Sequence, residues 1–146
     1  MGQIKKLQRM TGKGQPPLPA ASVQALKDQG LSGDRFCDGS DRQVSILSED
    51  VSRWMAEQEV QGLCFRRYKG NLLISGEDIS EWRKGDLLRC GQAELIVTDT
   101  KKECFPDCPR HQAGLSCRLP GGCAYARVST GGPISQGDFI GKQRKE

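Results

Sequence analysis

The chain has 146 residues, a length that fits one domain, and its 36% hydrophobic and 27% charged residues indicate a folded chain, neither disordered nor fibrous. A formal net charge of +4 permits an anionic ligand, but acidic residues accompany the basic ones along the chain, so we expect no nucleic-acid partner. We find neither the apolar stretch of a signal peptide nor one long enough for a transmembrane helix. We therefore expect a cytoplasmic protein without a membrane contact.

Strand signals dominate the chain. Apolar and polar residues alternate in short segments that Gly and Pro separate, which predicts strands at residues 3–10, 22–27, 42–47, 63–65, 71–74, 86–89, 93–98, 124–128 and 138–140. A hairpin is expected to turn at residues 91–92. Many short strands at even spacing favour a barrel, because closure removes exposed sheet edges. We therefore predict a mainly β fold, with one domain over residues 1–146 and a flexible tail at residues 142–146.

One helix is predicted among these strands. Ser48 is a typical N-cap residue, and Glu49 and Asp50 place negative charge in the first turn, where it is favourable. Apolar residues follow at helical spacing on one face. We predict a main helix over about residues 48–59, for which Gly62 is the stop signal, and a short helical turn within residues 77–82.

The chain contains seven cysteines, and in a reducing cytoplasm thiols serve catalysis, metal binding or packing more often than disulfides. Four of them lie in one long Pro- and Gly-rich segment that we expect to lack regular structure: Cys104, Cys108, Cys117 and Cys123. Lys101 and Lys102 precede Cys104, and their positive charge favours the thiolate, which is both a nucleophile and a soft metal ligand. Cys104 is therefore the candidate reactive thiol.

Three interpretations of this segment remain open. Cys104 alone could be the functional group. The four cysteines together could hold a zinc ion, although their spacing lacks the C-x2-C pairs typical of zinc sites, and we predict that they do not all converge on one metal. The other three cysteines could instead be small buried residues that pack the segment.

A series of short motifs resembles one known family. In chain order they are residues 33–35 (Gly-Asp-Arg), 42–45 (Arg-Gln-Val-Ser), 71–76 (Asn-Leu-Leu-Ile-Ser-Gly), 85–89 (Gly-Asp-Leu-Leu-Arg), the strand 93–98 that leads to Cys104, 126–128 (Ala-Arg-Val) and 137–138 (Gly-Asp). Each motif is weak alone. Their order and spacing, which extend over nearly the whole chain, resemble molybdenum cofactor sulfurase C-terminal (MOSC) domains, and in particular the small single-domain bacterial type.

The resemblance implies a β-barrel with one reactive cysteine, which either carries sulfur as a persulfide or ligates the molybdenum of a pterin-bound cofactor (molybdopterin). Cys104 corresponds to that cysteine. Lys69 and Asn71 resemble the segment that contacts the pterin phosphate in cofactor-binding relatives, and Ser48 corresponds to a further polar contact. A lysine and a helix N-terminus also suit an anionic phosphate on physical grounds. His111 is the only imidazole available as a general base.

The resemblance leads to two classes of function, and the cysteine pattern to a third. The first is a sulfur-carrier or cofactor-binding domain, in which Cys104 accepts sulfane sulfur or ligates molybdenum for delivery to a molybdoenzyme or a cofactor-assembly protein. The sulfur donor would be a separate cysteine desulfurase, because the chain has no room for a pyridoxal-phosphate domain. The second is a molybdenum-dependent reductase of N-hydroxylated compounds, and the third a zinc-stabilised interaction domain. We favour the first.

Overall fold

The computed structural model describes residues 2–12, 15–62, 68, 70–100 and 108–143. Within these ranges the chain forms eleven strands, two α-helices and two 3-10 turns. The strands are β1 (Gly2–Arg9), β2 (Leu18–Pro19), β3 (Ser22–Leu26), β4 (Gly30–Leu31), β5 (Val44–Ser48), β6 (Leu72–Ser75), β7 (Leu87–Cys90), β8 (Ala93–Asp99), β9 (Cys123–Thr130), β10 (Gly132–Ser135) and β11 (Phe139–Lys142). The helices are α1 (Glu49–Glu57) and α2 (Pro109–Gln112), and the 3-10 turns cover Ile79–Glu81 and Leu119–Gly121.

Seven of the described strands close into a barrel, in the order β1, β11, β7, β8, β9, β5 and β6 around the ring. The pairing of Gly2 with Ile140 joins β1 to β11 and completes the closure. Neighbouring strands are antiparallel except for β5 and β6, which are parallel because α1 carries the chain from one to the other. The predicted mainly β barrel with one main helix is therefore confirmed.

The interior of the barrel is one apolar cluster, which we call the barrel core. Every strand of the ring contributes to it, and the contributions follow the alternation of side chains along each strand, as with Ala124, Ala126 and Val128 of β9. The small sheet of β10, β3 and β4 adds apolar side chains to the same cluster, among them Val23 and Ile134. The barrel core thus holds the two sheets together.

A second cluster packs α1 against the outside of the barrel. Since side chains alternate between the two faces of a strand, Leu47 of β5 and Cys123 of β9 point away from the barrel core. They meet one face of α1, and two further apolar side chains complete the group. We call this group the helix-side cluster: Leu47, Val51, Met55, Tyr68, Leu119 and Cys123.

The main helix begins where the sequence predicts and ends earlier. Ser48 is its N-cap, and Glu49 and Asp50 occupy the first turn. The helix stops at Glu57, not near Gly62, because Gln58 takes an extended conformation with ψ 134°. The side-chain amide of Gln61 then donates to the carbonyl groups of Met55 at 3.1 Å and Gln58 at 2.6 Å, which no further helical turn reaches. No helix in the described ranges is both long and apolar enough to cross a membrane.

Two other expectations need correction. The flexible tail does not begin at residue 142, because Lys142 pairs with Leu88 in the sheet and its ammonium group lies 3.1 Å from the Asp86 carboxylate. The backbone N–H of Gln143 also donates to Leu87. The segment between Cys104 and Cys123 is not without regular structure, since it contains α2 and the 3-10 turn Leu119–Gly121. The strand predicted at residues 63–65 lies outside the described residues, as do residues 144–146.

Candidate functional site

Two of the four residues that the sequence assigns to the site lie within the described ranges. Ser48 caps α1, and Asn71 precedes β6. Cys104 and Lys69 lie outside the described residues, together with the two lysines before Cys104. The described part of the site consists of Ser48, Asn71 and the residues on either side of residue 69 and of residues 101–107.

Asn71 is 1% exposed, and its side-chain amide is fully used inside the protein. The amide oxygen accepts hydrogen bonds from the backbone N–H and the hydroxyl of Ser45, both at 2.9 Å. The amide nitrogen donates to the carbonyl of Gln8 at 3.1 Å and to the carboxylate of Asp34 at 2.8 Å. Two donors and two acceptor positions are thus taken. Asn71 links β1, β5 and the loop after β4 at the start of β6.

The carboxylate of Asp34 is a further part of this arrangement, although the sequence motifs do not mark it as a site residue. It is 6% exposed, and it accepts the backbone N–H groups of Met10 at 2.6 Å and Phe36 at 2.9 Å besides the Asn71 amide. A carboxylate is tolerated at such depth only where several donors reach it, so Asp34 and Asn71 depend on each other. The bond to Phe36, two residues on, is an Asx-turn, a local signal that the Gly-Asp-Arg motif did contain.

Tyr68 and Gly70, on either side of residue 69, are both buried. The Tyr68 hydroxyl accepts the Ile46 N–H at 3.1 Å and lies 2.8 Å and 2.7 Å from the carbonyl oxygens of Ile46 and Ala124. Burial raises the pKa of Tyr68 well above its ordinary value, so the hydroxyl keeps its proton and donates it to one of these carbonyls. Gly70 has a φ of +55°, and a Cβ there would lie 2.9 Å from the Cβ of Leu47, so the position requires glycine.

The described residues before residue 101 connect to the helix-side cluster through a cation and two aromatic rings. The carboxylate of Asp99, at the end of β8, lies 3.8 Å from the guanidinium of Arg42. That guanidinium lies 4.6 Å from the ring centroid of Tyr125. Tyr125 in turn packs edge to face against Tyr68, with 5.4 Å between ring centroids.

The described residues after residue 107 return to the same cluster through α2. Cys108, the N-cap of α2, is buried. The buried guanidinium of Arg110 lies 4.9 Å from the ring centroid of Trp54, on α1, and donates to the carbonyl of Val60 at 3.0 Å. His111 is exposed on α2. On both sides of residues 101–107, an arginine thus lies over an aromatic ring that packs against the helix-side cluster: Arg42 over Tyr125 and Arg110 over Trp54.

Ser48 lines an open cleft of about 570 Å³ between the start of α1 and the two 3-10 turns. Its hydroxyl accepts the backbone N–H of Val51 at 3.5 Å and so caps the helix. Among the described residues, the charged groups that line the cleft are Asp50, Glu77, Asp78 and Arg118. The cleft thus has more negative than positive charge.

Residues 33–140, most of the chain, match the sequence model of the MOSC domain. The chain belongs to the MOSC domain family. Three solved structures show the same fold at 18% sequence identity. The YuaD protein from Bacillus subtilis has a TM-score of 0.68, and the match covers 96% of this chain and 94% of that one. YiiM from Geobacillus stearothermophilus has a TM-score of 0.66 with 99% and 76% covered, and YiiM from Escherichia coli 0.61 with 99% and 71% covered. No curated protein sequence matched significantly.

MOSC domains are associated with the molybdenum cofactor, whose pterin carries an anionic phosphate. A residue that binds this phosphate needs a free hydrogen-bond donor or a positive charge. Every hydrogen-bonding group of the Asn71 amide is already taken, and the side chain is buried. The Ser48 hydroxyl caps α1 beside a cleft whose acidic side chains repel an anion. In this geometry the Asn71 amide offers a phosphate no further hydrogen-bonding group, and Ser48 lies beside acidic side chains. The cofactor contacts assigned to Ser48, Lys69, Asn71 and Cys104 all stay predictions.

Two described thiols of this MOSC domain are held in their protonated form. Burial in the barrel core raises the pKa of Cys90 to about 12, and the nearby carboxylate of Asp138 adds to the effect. Partial burial raises the pKa of Cys37, and the charges of Asp34 and Asp38 raise it further. Since the thiolate is the nucleophile, neither residue suits sulfur chemistry near neutral pH.

Of the other described cysteines, Cys123 belongs to the helix-side cluster and Cys117 packs against it, while Cys108 is the N-cap of α2. Cys108 and Cys123 are buried, and Cys117 is half-buried. Across the described ranges, no group of three or more His, Cys, Asp or Glu side chains is arranged to hold a metal ion. Because Cys104 lies outside those ranges, the expectation that the four cysteines do not share one metal stays a prediction.

Proposed function

We propose that this MOSC domain is a sulfur carrier connected with the molybdenum cofactor. In this role Cys104 accepts a sulfane sulfur from a cysteine desulfurase and delivers it to a molybdoenzyme or a cofactor-assembly protein. The observation that carries the proposal is the family match over residues 33–140, a range that includes Cys104. By resemblance, Cys104 corresponds to the reactive cysteine of the family.

Sulfur transfer to Cys104 needs a thiolate and no external oxidant. The Cys104 thiolate attacks the outer sulfur of the donor persulfide. A new S–S bond forms at Cys104, the S–S bond of the donor breaks, and the donor cysteine leaves as a thiolate. The transferred sulfur keeps its proton, so Cys104 ends as a persulfide. Delivery repeats the same exchange with a thiolate of the acceptor protein, and any pyridoxal phosphate belongs to the desulfurase.

The charges near Cys104 in the sequence support this role. Lys101 and Lys102 lower the free-energy cost of its thiolate. The raised pKa values of Cys37 and Cys90 leave those two thiols protonated under the same conditions. Neither of these two thiols therefore suits attack on a sulfur donor at neutral pH.

The described part of the site favours the carrier over the cofactor-binding alternative, in which Cys104 ligates molybdenum. That alternative needs groups that hold an anionic phosphate. Asn71 has its amide committed to Ser45, Gln8 and Asp34, and Ser48 lines an acidic cleft. A carrier needs no such groups, since its cargo is one sulfur atom bound to a thiol.

The test is persulfide loading with defined components. The purified protein is incubated with a bacterial cysteine desulfurase and L-cysteine, alkylated, digested and mapped by mass spectrometry. We expect one added sulfur atom on the peptide that contains Cys104. The Cys104→Ser protein should accept no sulfur, whereas Cys117→Ser, which changes another cysteine of the same segment, should load as the unchanged protein does.

Three outcomes would overturn the proposal. Equal loading of the Cys104→Ser protein would show that the sulfur goes elsewhere. Molybdenum and pterin at stoichiometric amounts in protein purified from its native host would support the cofactor-binding or reductase alternative. Stoichiometric zinc would support the interaction domain.

A further inference from the structure

Residues 109–116 contain α2 and lie on the outside of the protein, and we call them the flap. Arg110 is the buried residue of this described range, and the other residues are exposed. The chain is anchored on both sides of the flap, because Cys108 is buried and Leu119 belongs to the helix-side cluster. Within residues 109–116, therefore, no buried apolar side chain holds the flap in place.

The guanidinium of Arg110 carries the described side-chain contacts that dock the flap. Nη1 donates to the carbonyl of Val60 at 3.0 Å, and the guanidinium lies 4.9 Å from the ring centroid of Trp54, on α1. Nη2 donates to the carbonyl of Ser116, at the end of the flap. Because its planar fork presents donors in two directions, Arg110 both docks the flap and closes it on itself.

The backbone of the flap is hydrogen-bonded within its own part of the chain. The N–H groups of Gln112, Ala113 and Leu115 donate to carbonyl groups four or five residues earlier, at 2.9–3.1 Å. A helix of four residues is not stable alone, so tertiary contacts have to keep it folded. These three amides are therefore protected from hydrogen exchange only while the flap is docked.

A buried guanidinium is a weak source of stability, because the cost of removing its charge from water offsets much of what its hydrogen bonds contribute. Apolar burial, which stabilises the barrel core, carries no such cost. Segments with few buried apolar contacts open locally at a lower free energy than the core. We infer that the flap opens on its own while the barrel stays folded, and that Arg110 is the latch that holds it closed. This inference does not depend on the proposed sulfur chemistry.

Opening of the flap changes the surface of α1. In the closed state the Arg110 guanidinium lies over the indole ring of Trp54, which is half-buried and packs against the helix-side cluster. When the flap opens, this guanidinium leaves the ring and the carbonyl of Val60 loses its donor. The open state thus presents an aromatic side chain and a backbone acceptor that the closed state covers.

The test is hydrogen exchange of single backbone amides, followed by NMR at increasing urea concentrations below the unfolding transition. The amides of Gln112, Ala113 and Leu115 report on the flap. The amides of Val97 and Val128, which donate to the Asp86 carbonyl at 2.9 Å and the Gln43 side chain at 3.0 Å, report on the barrel. Relative to their intrinsic rates, we expect the flap amides to exchange at least about 100-fold faster than the barrel amides. Urea should change the flap rates little, because local opening exposes little surface.

The chain offers a matched control for the latch on the same indole ring. Arg118 also lies over Trp54, at 5.9 Å, but its side chain is exposed. Arg110→Ala should lower the protection of the flap amides about ten-fold or more, because two carbonyl groups lose a charged donor. Alanine is the best helix former, so this loss does not come from helix propensity. Arg110→Lys, which keeps the charge without the fork, should also lower the protection, whereas Arg118→Ala should leave it within about two-fold.

Four results would overturn the inference. Flap amides that share the exchange free energy and urea dependence of the barrel amides would make the flap part of the barrel's cooperative unit. Flap amides without protection in the unchanged protein would show that it is not docked. Full protection in Arg110→Ala would place the latch elsewhere, and an equal loss in Arg118→Ala would assign the effect to charge near the indole. The first two measurements use the unchanged protein, so they stand even if a variant fails to fold.

Discussion

The barrel core and the helix-side cluster lie on opposite faces of the same strands, yet they are built from different contacts. On β9, Ala124 and Ala126 enter the barrel core, while Cys123 belongs to the helix-side cluster and Tyr125 packs against it. The barrel core consists largely of aliphatic side chains from regular strands. The helix-side cluster is smaller, and directional contacts complete it, such as the guanidinium of Arg110 over an indole ring.

This difference separates the scaffold of the molecule from its candidate chemistry. Apolar burial is non-directional and scales with area, so it stabilises a barrel without fixing particular atoms. Hydrogen bonds to charged groups fix distances and angles. Tyr68, before residue 69, belongs to the helix-side cluster. The described residues that flank residues 101–107 reach it through Arg42 over Tyr125 on one side and Arg110 over Trp54 on the other, so these links are directional contacts.

The largest effect is expected at Asn71, whose buried amide links β1, β5 and the loop after β4. Asn71→Ala removes four side-chain hydrogen bonds and leaves the buried Asp34 carboxylate and the Ser45 backbone short of partners. We expect the free energy of unfolding to fall by about 3 kcal/mol. Urea-induced unfolding at neutral pH measures it.

Gln24, on an exposed strand position, provides the control for Asn71. Gln24→Ala should change the free energy of unfolding by less than about 0.5 kcal/mol. A loss at Asn71 as small as the loss at Gln24 would contradict the buried network, and would leave the amide available for a ligand.

The contact between α1 and the barrel is tested at Gly122. A Cβ at this position would lie 2.3 Å from a methyl group of Val51, so Gly122→Ala must push α1 outward, at a cost of about 1–3 kcal/mol. In a Val51→Ala background the same substitution should cost less, because the two clashing methyl groups are gone and only the Cβ of residue 51, at 2.7 Å, still has to move. Gly121→Ala is the control, since its Cβ would meet only Ser80 at 3.8 Å. Equal costs in both backgrounds would argue against this packing.

The sequence predicts the barrel core well, because alternation is a property of each strand by itself. β8 is an example: its inward residues Ala93, Leu95 and Val97 recur at every second position. β2, β4 and β10 were missed, since Leu18–Pro19 and Gly30–Leu31 are too short to show a period and Gly132–Ser135 contains Gly and Pro. Those strands exist because a partner strand pairs with them.

The site is less predictable because its contacts join distant parts of the chain. The resemblance singled out Asn71, but its partners Gln8, Asp34 and Ser45 share no local pattern with it. The docking of α2 was missed for a related reason. Its buried residue is an arginine, which hydrophobicity patterns assign to the surface.

A pH-dependent effect is expected from the barrel core itself. The Cys90 thiol stays protonated in the folded protein up to about pH 12, whereas in the unfolded chain it ionises from about pH 9. The unfolded state therefore binds fewer protons over this range, and the free energy of unfolding falls as the pH rises, by up to about 1.4 kcal/mol per pH unit. Urea unfolding between about pH 8 and about pH 10 measures the slope, to which Tyr68 adds with the same sign as the pH approaches about 10.

Cys90→Ala should remove this part of the slope, and Cys117→Ala, at a half-buried position outside the barrel core, should remove much less. An equal slope in the Cys90→Ala protein would mean that the thiol is not held protonated by burial.

The smallest effect is expected at Arg42, the counterpart of Arg110 on the other side of residues 101–107. Both guanidinium groups lie over an aromatic ring, but the Arg42 side chain is 61% exposed and its carboxylate partner Asp99 is 3.8 Å away. An exposed cation–π contact contributes about 0.5–1 kcal/mol, so Arg42→Met should lower the free energy of unfolding by no more than that. A double-mutant cycle with Tyr125→Leu isolates the contact by urea unfolding. Arg110→Met should cost more than Arg42→Met, because the Arg110 side chain is buried and its guanidinium is hydrogen-bonded there. Equal losses of stability in the two variants would show that burial does not distinguish the two arginines.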